Sequence, residues 1–287
     1  METIKIEGPY NFDKVLDRHA LDPLRVVNKA DRTAKVPLIL KHSPFVAEIK
    51  ATGTMDEPEF QISGIDNNEE ALNRISHLFQ WDVPLHEIHH FFLNTDLKPI
   101  FEEQKGTPLI LDFDPYSCLL KCIIHQQLNL AFAHTLTERF VKTFGFEEEG
   151  AYFFPQAEKV AELKVEELRE LQFSGRKAEY VIGVARAIVD GTLNLDNLHN
   201  KTDEEIMDEL VRLRGIGPWT VENFLLFGLG RQNLFPMADI GIQNALKKLY
   251  HLDRKPTAEE MNQYKKNWEP YLSYASLYLW RSIEPNL

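Results

Sequence analysis

The chain has 287 residues, 44% of them hydrophobic and 11% aromatic, with a formal net charge of −12 at neutral pH. That length supports two or three small domains with real cores, the composition excludes a disordered chain, and the charge excludes a broadly basic surface. Cys118 and Cys122 are the only cysteines; spaced i, i+4 on one helical face, they argue against a disulfide framework and for a reduced interior. The N-terminal METIKIEGPYNFDKV offers no apolar run for a signal peptide, and no segment approaches a membrane span. A cytoplasmic protein is expected.

Residues 1–83 differ in texture from the rest. Segments 4–8 (IKIEG), 37–42 (PLILKH), 45–53 (FVAEIKATG) and 60–64 (FQISG) are short, β-prone and bounded by Gly or Pro, as antiparallel strands are. Segments 9–21 and 67–81 interrupt them with helical period. From Pro84 onward the period is almost entirely helical, with no internal repeat. The expected architecture is mainly α. A small N-terminal α+β domain (1–83) precedes one helical subdomain built from 84–113 and 231–287 and another over 114–230.

Residues 86–90 (HEIHH) satisfy H-E-x-x-H literally, a pattern that can set two zinc-ligating histidines beside a glutamate base. Phe91, Phe92 and Leu93 follow instead of the spacing that would bring a third ligand. An ordinary helix packing Ile88, Phe91 and Phe92 explains the segment more simply. Residues 122–133 (CIIHQQLNLAFA) read as one helix with Gln126 and Gln127 in its middle, flanked by Ile123, Ile124, Leu128 and Leu130.

Segment 202–242 is the most informative. Thr202 and Glu205 form a capping box, and Ile206, Leu210 and Leu213 follow at helical spacing. Gly215 stands where a helix end needs positive φ, and Gly217 keeps the turn tight. Pro218 suits the first turn of a second helix, whose buried side (Val221, Phe224, Leu225) runs until Gly228 and Gly230. Asp239 then stands ready to cap a third helix, IGIQNALKKLY. Main-chain N–H groups around Gly215, Ile216 and Gly217 lack helical partners, and two glycines let a phosphate approach the backbone at a helix N-terminus. A plain turn between helices is the alternative reading.

With Asp239 added, LRGIGPWTVENF (213–224) resembles the hairpin of the helix-hairpin-helix–Gly/Pro/Asp (HhH-GPD) superfamily of DNA base-excision glycosylases. Within it the chain is similar to the DNA-3-methyladenine glycosylase II (AlkA) type. Residues 122–133 resemble that type's I-I-x-Q-Q helix, 171–188 its short turn and helix, and 273–282 its C-terminal aromatic helix, in the family's order over roughly 75–285. The resemblance implies the HhH-GPD fold, with a cleft between two helical lobes. It implies a monofunctional glycosylase that hydrolyses the N-glycosidic bond of alkylated bases (3-methyladenine, 7-methylguanine type) in double-stranded DNA for base excision repair. It implies neither a required cofactor nor an obligate protein partner, and a nucleoid-associated location in a bacterium. Two cysteines cannot ligate a four-cysteine iron–sulfur cluster. A glycosylase for uracil, hypoxanthine or mismatched bases, and a non-catalytic hairpin module that only holds DNA, remain alternatives.

The resemblance also assigns residues. Asp239, 20 residues after Trp219, is the expected catalytic carboxylate, an anion beside the sugar carbon on which positive charge develops. Trp219 stands where bifunctional relatives carry a lysine that forms a Schiff base, so no lyase step is expected. Trp219 and Trp280 are the expected aromatic walls around an everted, cationic base; Asn223 and Ile240 depart from rings that the type can carry. Gln126 is expected in the minor groove, either Gln127 or Leu128 fills the gap in the helix, and Gly215, Ile216, Gly217 and Thr220 meet the backbone. The carbonyls of Val211, Leu213 and Ile216 match positions that hold a monovalent cation in the family. The acidic excess lies mainly in 147–150 and 158–170, whereas Arg212, Arg214, Arg231, Lys247 and Lys248 surround the hairpin. Charges act over about 8 Å at physiological salt, so a local surface with few phosphate contacts is expected.

Overall fold

Alternating side chains decide the N-terminal sheet. Strands β1 (Glu2–Lys5), β2 (Val27–Asn28), β3 (Thr33–Leu40), β4 (Ser43–Ala51) and β5 (Glu59–Ser63) form one antiparallel sheet in the order β1-β5-β4-β3-β2. On β3, Ala34, Val36 and Leu38 point into the core while the residues between them are only partly covered. The computed structural model describes residues 1–40, 43–65 and 68–284. The last two positions of the strand expected over 37–42 and the first of the helix expected over 67–81 lie outside the described residues. Strand β2, two residues long, is too short to leave a period in the sequence.

Helices Phe12–His19 and Glu69–Phe79 start at Asn11 and Asn68, whose side chains cap their first turns. They bury Phe12, Val15, Leu16, Ile75 and Phe79 in the sheet's core. That core continues without a break into the helices Leu85–Phe92, Lys98–Glu103, Ile240–Leu249 and Leu272–Arg281. Phe92, Phe101 and Tyr278 stack in series there, with both centroid separations 3.9 Å. A second core joins the helices Pro115–His125, Leu130–Phe144, Gly175–Val189, Asp203–Leu210 and Pro218–Phe227 through Ile123, Phe140, Val181, Leu210 and Phe224. The two bodies of packed side chains meet along a cleft that the hairpin borders.

Two expectations need correction. Residues 122–133 are not one helix: the first ends at His125, Gln127 turns to φ +57°, and Asn129 caps a new helix from Leu130. An Asn side chain that accepts its own N3 amide competes with helix continuation. The region after Pro84 also contains a β-hairpin, β6 (Phe146–Glu148) and β7 (Ala151–Phe153), turned by Glu149 and Gly150 at positive φ. Lys35 on β3 donates to the Glu149 carbonyl, and Val46 on β4 packs on Ala151 and Phe153, so the sheet grips the second body as well.

The H-E-x-x-H segment is a short helix burying Ile88 and Phe92. Among the described residues no group of three His, Cys, Asp or Glu side chains could hold a metal, and no helix is long and apolar enough to cross a membrane. Both cysteines are buried and free.

Candidate active site

The hairpin closes much as its residues dictate. Thr202 and Glu205 cap Asp203–Leu210 reciprocally. The helix stops at Leu210, one turn before Leu213, and Gly215 takes φ +94°. A Cβ there would sit 2.1 Å from the Tyr180 ring, so glycine is required by backbone and neighbour alike. Pro218 opens the second helix, Pro218–Phe227. Among the described residues the N–H groups of Gly215, Gly217, Trp219 and Thr220 donate no main-chain hydrogen bond. That of Ile216, expected free, bonds the Leu213 carbonyl at 3.1 Å; the Ile216 side chain is buried. The carbonyls of Val211 and Ile216 accept no hydrogen bond among the described residues.

Asp239 caps Ile240–Leu249, its Oδ1 accepting the Ile242 N–H at 3.0 Å. The same oxygen accepts the Trp280 indole N–H at 2.8 Å, and Oδ2 accepts that of Trp219 at 3.2 Å. Residues from three helices thus converge on one carboxylate, and each oxygen has a fixed donor. Gly241 permits the approach: a Cβ there would lie 2.9 Å from both Asp239 Oδ1 and Trp280 Cδ1. Phe227 stacks on Trp280 at 5.9 Å. Asp239 and both tryptophans line a cavity of about 380 Å³ together with Leu128, Asn223 and Phe227. That volume falls within the range of small-ligand sites, roughly 300–1,000 Å³.

Asp239 also has a carboxyl neighbour. Glu222, one helical turn beyond Trp219, is half-buried; burial and then the charge of Asp239 raise its carboxyl above the ordinary value. Its i+3 spacing from Trp219 was the available signal.

Most of the remaining expected residues gather along a groove at the hairpin. Gln126 donates Nε2 to the Gly215 carbonyl and to Thr220 Oγ1, both at 2.8 Å. Its amide therefore ties the 126–129 loop to the hairpin, and Thr220 is buried beneath it. Gln127 is exposed at the loop tip, whereas Leu128 is half-buried and faces the cavity. Lys177, which the sequence did not single out, donates Nζ to the carbonyls of Ile124 (2.5 Å) and Gln126 (2.9 Å). It satisfies carbonyls freed by the broken helix; burial pushes its ammonium down to about 8. Lys177 and the exposed Arg176 border a groove of about 530 Å³ that the hairpin's glycines complete.

The basic set is smaller than expected. Arg231 is consumed by the carbonyls of Leu198 and Lys201 and by Asp203, and Arg214 pairs with Glu179 at 3.0 Å. Arg212 and Lys247 stay exposed, while Lys248 donates to the Ser282 carbonyl.

Residues 120–270 match the family described as HhH-GPD superfamily base excision DNA repair protein. The chain is 52% identical to YfjP of Bacillus subtilis (strain 168), over 99% of both chains. It is 33% identical to the DNA-3-methyladenine glycosylase of the same organism, over 78% of this chain and 81% of that one. Its fold superposes on the 3-methyladenine DNA-glycosylase from Archaeoglobus fulgidus with a TM-score of 0.85 and 24% identity, covering 98% and 97% of the two chains.

Two expectations concern the site's supports. Because folding raises the Glu222 pKa, the folded state holds that proton more tightly, and stability falls as pH rises through the window above 4.5. Glu222→Gln should therefore raise Tm at pH 7.5 and lose that advantage below pH ~4.5, where the wild-type carboxyl is already protonated; paired thermal melts decide. Lys177→Met should release the 126–129 loop and lower excision from duplex substrate on the order of tenfold, with Lys177→Arg recovering part of it. Steady-state kinetics on duplex against single-stranded substrate separates this from a general folding defect, which would affect both alike.

Proposed function

The chain belongs to the HhH-GPD superfamily of base excision DNA repair proteins, and from that premise we propose that it is a monofunctional DNA-3-methyladenine glycosylase. It binds duplex DNA, hydrolyses the N-glycosidic bond of alkylated purines and leaves an abasic site. The observation that carries this reading is the Asp239 carboxylate, held by two indole N–H groups and a main-chain amide at the wall of a base-sized cavity.

The chemistry needs little more. Loss of a purine builds positive charge on the deoxyribose, and a carboxylate that cannot swing away stabilises it without reorganisation. The same carboxylate can take a proton from the attacking water. Ring methylation makes the purine cationic and a good leaving group, which removes the need for a general acid. The rings of Trp219 and Trp280 then favour that cation by roughly 0.5–2 kcal/mol. No amine replaces the lysine of the lyases at Trp219, which supports hydrolysis alone.

The unpaired N–H groups of Gly215, Gly217, Trp219 and Thr220, beside Arg176, suit a DNA phosphate at the start of the Pro218 helix. The Val211 and Ile216 carbonyls, with Leu213, suit a monovalent cation that would hold the hairpin's turn against that phosphate. For the gap left by the everted nucleotide we assign Gln127, exposed at the loop tip in a left-handed conformation. Leu128, facing the cavity, becomes part of its wall.

Free bases released from alkylated, deaminated and mismatched duplexes, measured side by side, test the proposal: alkylated purines should dominate, and binding without release would overturn it. Asp239→Asn should keep DNA affinity while excision falls by orders of magnitude, about 10³-fold as for loss of a central electrostatic group. Borohydride added during turnover should trap no protein–DNA adduct; a covalent band would identify a Schiff-base lyase.

A further inference from the structure

Part of the lining of the Asp239 cavity is charged. Asp22 and Arg25, from the loop after the first N-terminal helix, meet Asp112 and Lys121 in a closed quartet. Lys121 Nζ lies 2.7 Å from Asp112 Oδ1 and 3.3 Å from Asp22 Oδ2, and Arg25 reaches Asp112 Oδ1 at 2.6 Å. Every side chain in it is at most 15% exposed. The formal charges cancel, and His19, His125 and His134 around them are held neutral by burial. Such a network is a poor stabiliser compared with apolar packing of equal volume, so its presence in the lining of the cavity that Asp239 also lines asks for another use.

The quartet is not hydrogen-bonded to saturation. Lys121 spends two of its three N–H donors, and Asp112 Oδ2 accepts no hydrogen bond among the described residues. Both residues line the cavity that Asp239 lines. A nucleoside with C1′ beside Asp239 keeps its glycosidic nitrogen near that carboxylate, so the far edge of its six-membered ring lies away from it, toward the rest of the lining. To that lining Lys121 and Asp112 contribute one ammonium donor next to one carboxylate acceptor.

We propose that Lys121 and Asp112 form a subsite that reads the lactam edge of guanine-type bases, the N-terminal domain holding it in place through Asp22 and Arg25. A carbonyl oxygen on C6 takes the Lys121 N–H, and the adjacent ring N–H donates to Asp112 Oδ2. Adenine-type bases instead set an amino donor against the Lys121 ammonium and a ring-nitrogen acceptor against the Asp112 carboxylate, so neither hydrogen bond forms. The subsite therefore favours 7-methylguanine over 3-methyladenine within the glycosylase reading, on which it rests.

Duplex DNA treated with a methylating agent carries both bases on the same molecules. The ratio at which they are released is independent of how much of a preparation is folded. Lys121→Met removes the donor, and Asp112→Asn presents an amide N–H to the lactam N–H. In each variant the 7-methylguanine to 3-methyladenine ratio should fall on the order of fivefold from the wild-type value. A ratio within about twofold of wild type, or one that rises, overturns the subsite, because a purely structural quartet moves both bases in step. Should Lys121→Met fail to fold, the near-isosteric Asp112→Asn carries the test alone. Wild-type protein that releases neither base overturns the glycosylase reading and the subsite together, whereas release with an unmoved ratio overturns only the subsite.

Discussion

A single carboxylate with every oxygen accounted for organises this molecule. Asp239 Oδ1 is held by an amide at its own helix start and by Trp280, and Oδ2 by Trp219. The three donors arrive from the hairpin helix, the helix that Asp239 caps and the C-terminal helix. Their convergence requires the two hydrophobic bodies to keep a fixed spacing. Gly241 leaves no atom in the way, and Phe227 stacks on the indole of Trp280. A fixed anion of this kind needs no reorganisation when charge develops opposite it, which is what makes preorganisation effective.

The tryptophans show how a side chain can serve two ends. Their ring faces were expected to grip a base, and the stacking role belongs to the proposed function. Their N–H edges meanwhile orient the carboxylate, an arrangement no sequence pattern displays because it depends on side-chain rotamers of residues 20 and 41 positions from Asp239. Glu222 is similar: the carboxylate whose charge acts on it belongs to the third helix, 17 positions away.

Much of the fold was legible where local chemistry decides it. The capping box at Thr202, the positive φ of Gly215, Pro218 in a first turn and Asp239 as a cap are all written in a few adjacent residues, and each occurs as read. The break after His125 was not legible. Apolar residues continue at helical spacing through it, and the interactions that settle it, Lys177 on two carbonyls and Gln126 on the hairpin, come from residues some 50 and 90 positions away. The basic surface was overread for the same reason, since Arg231 looks free in sequence and is spent on three internal acceptors in the fold. The short β6–β7 hairpin escaped because three-residue strands carry no measurable period.

That hairpin also has a mechanical meaning. The N-terminal sheet fuses with one hydrophobic body through a continuous core and clasps the other through Lys35, Val46 and Ala151. A two-part body strapped on its flank does not gape like a jaw to admit a ligand. If the ligand is a duplex, the work of bending and unstacking falls on the nucleic acid rather than on the protein. Nucleotides in already weakened pairs would then be everted soonest, and the order of repair along a damaged strand would follow its local flexibility.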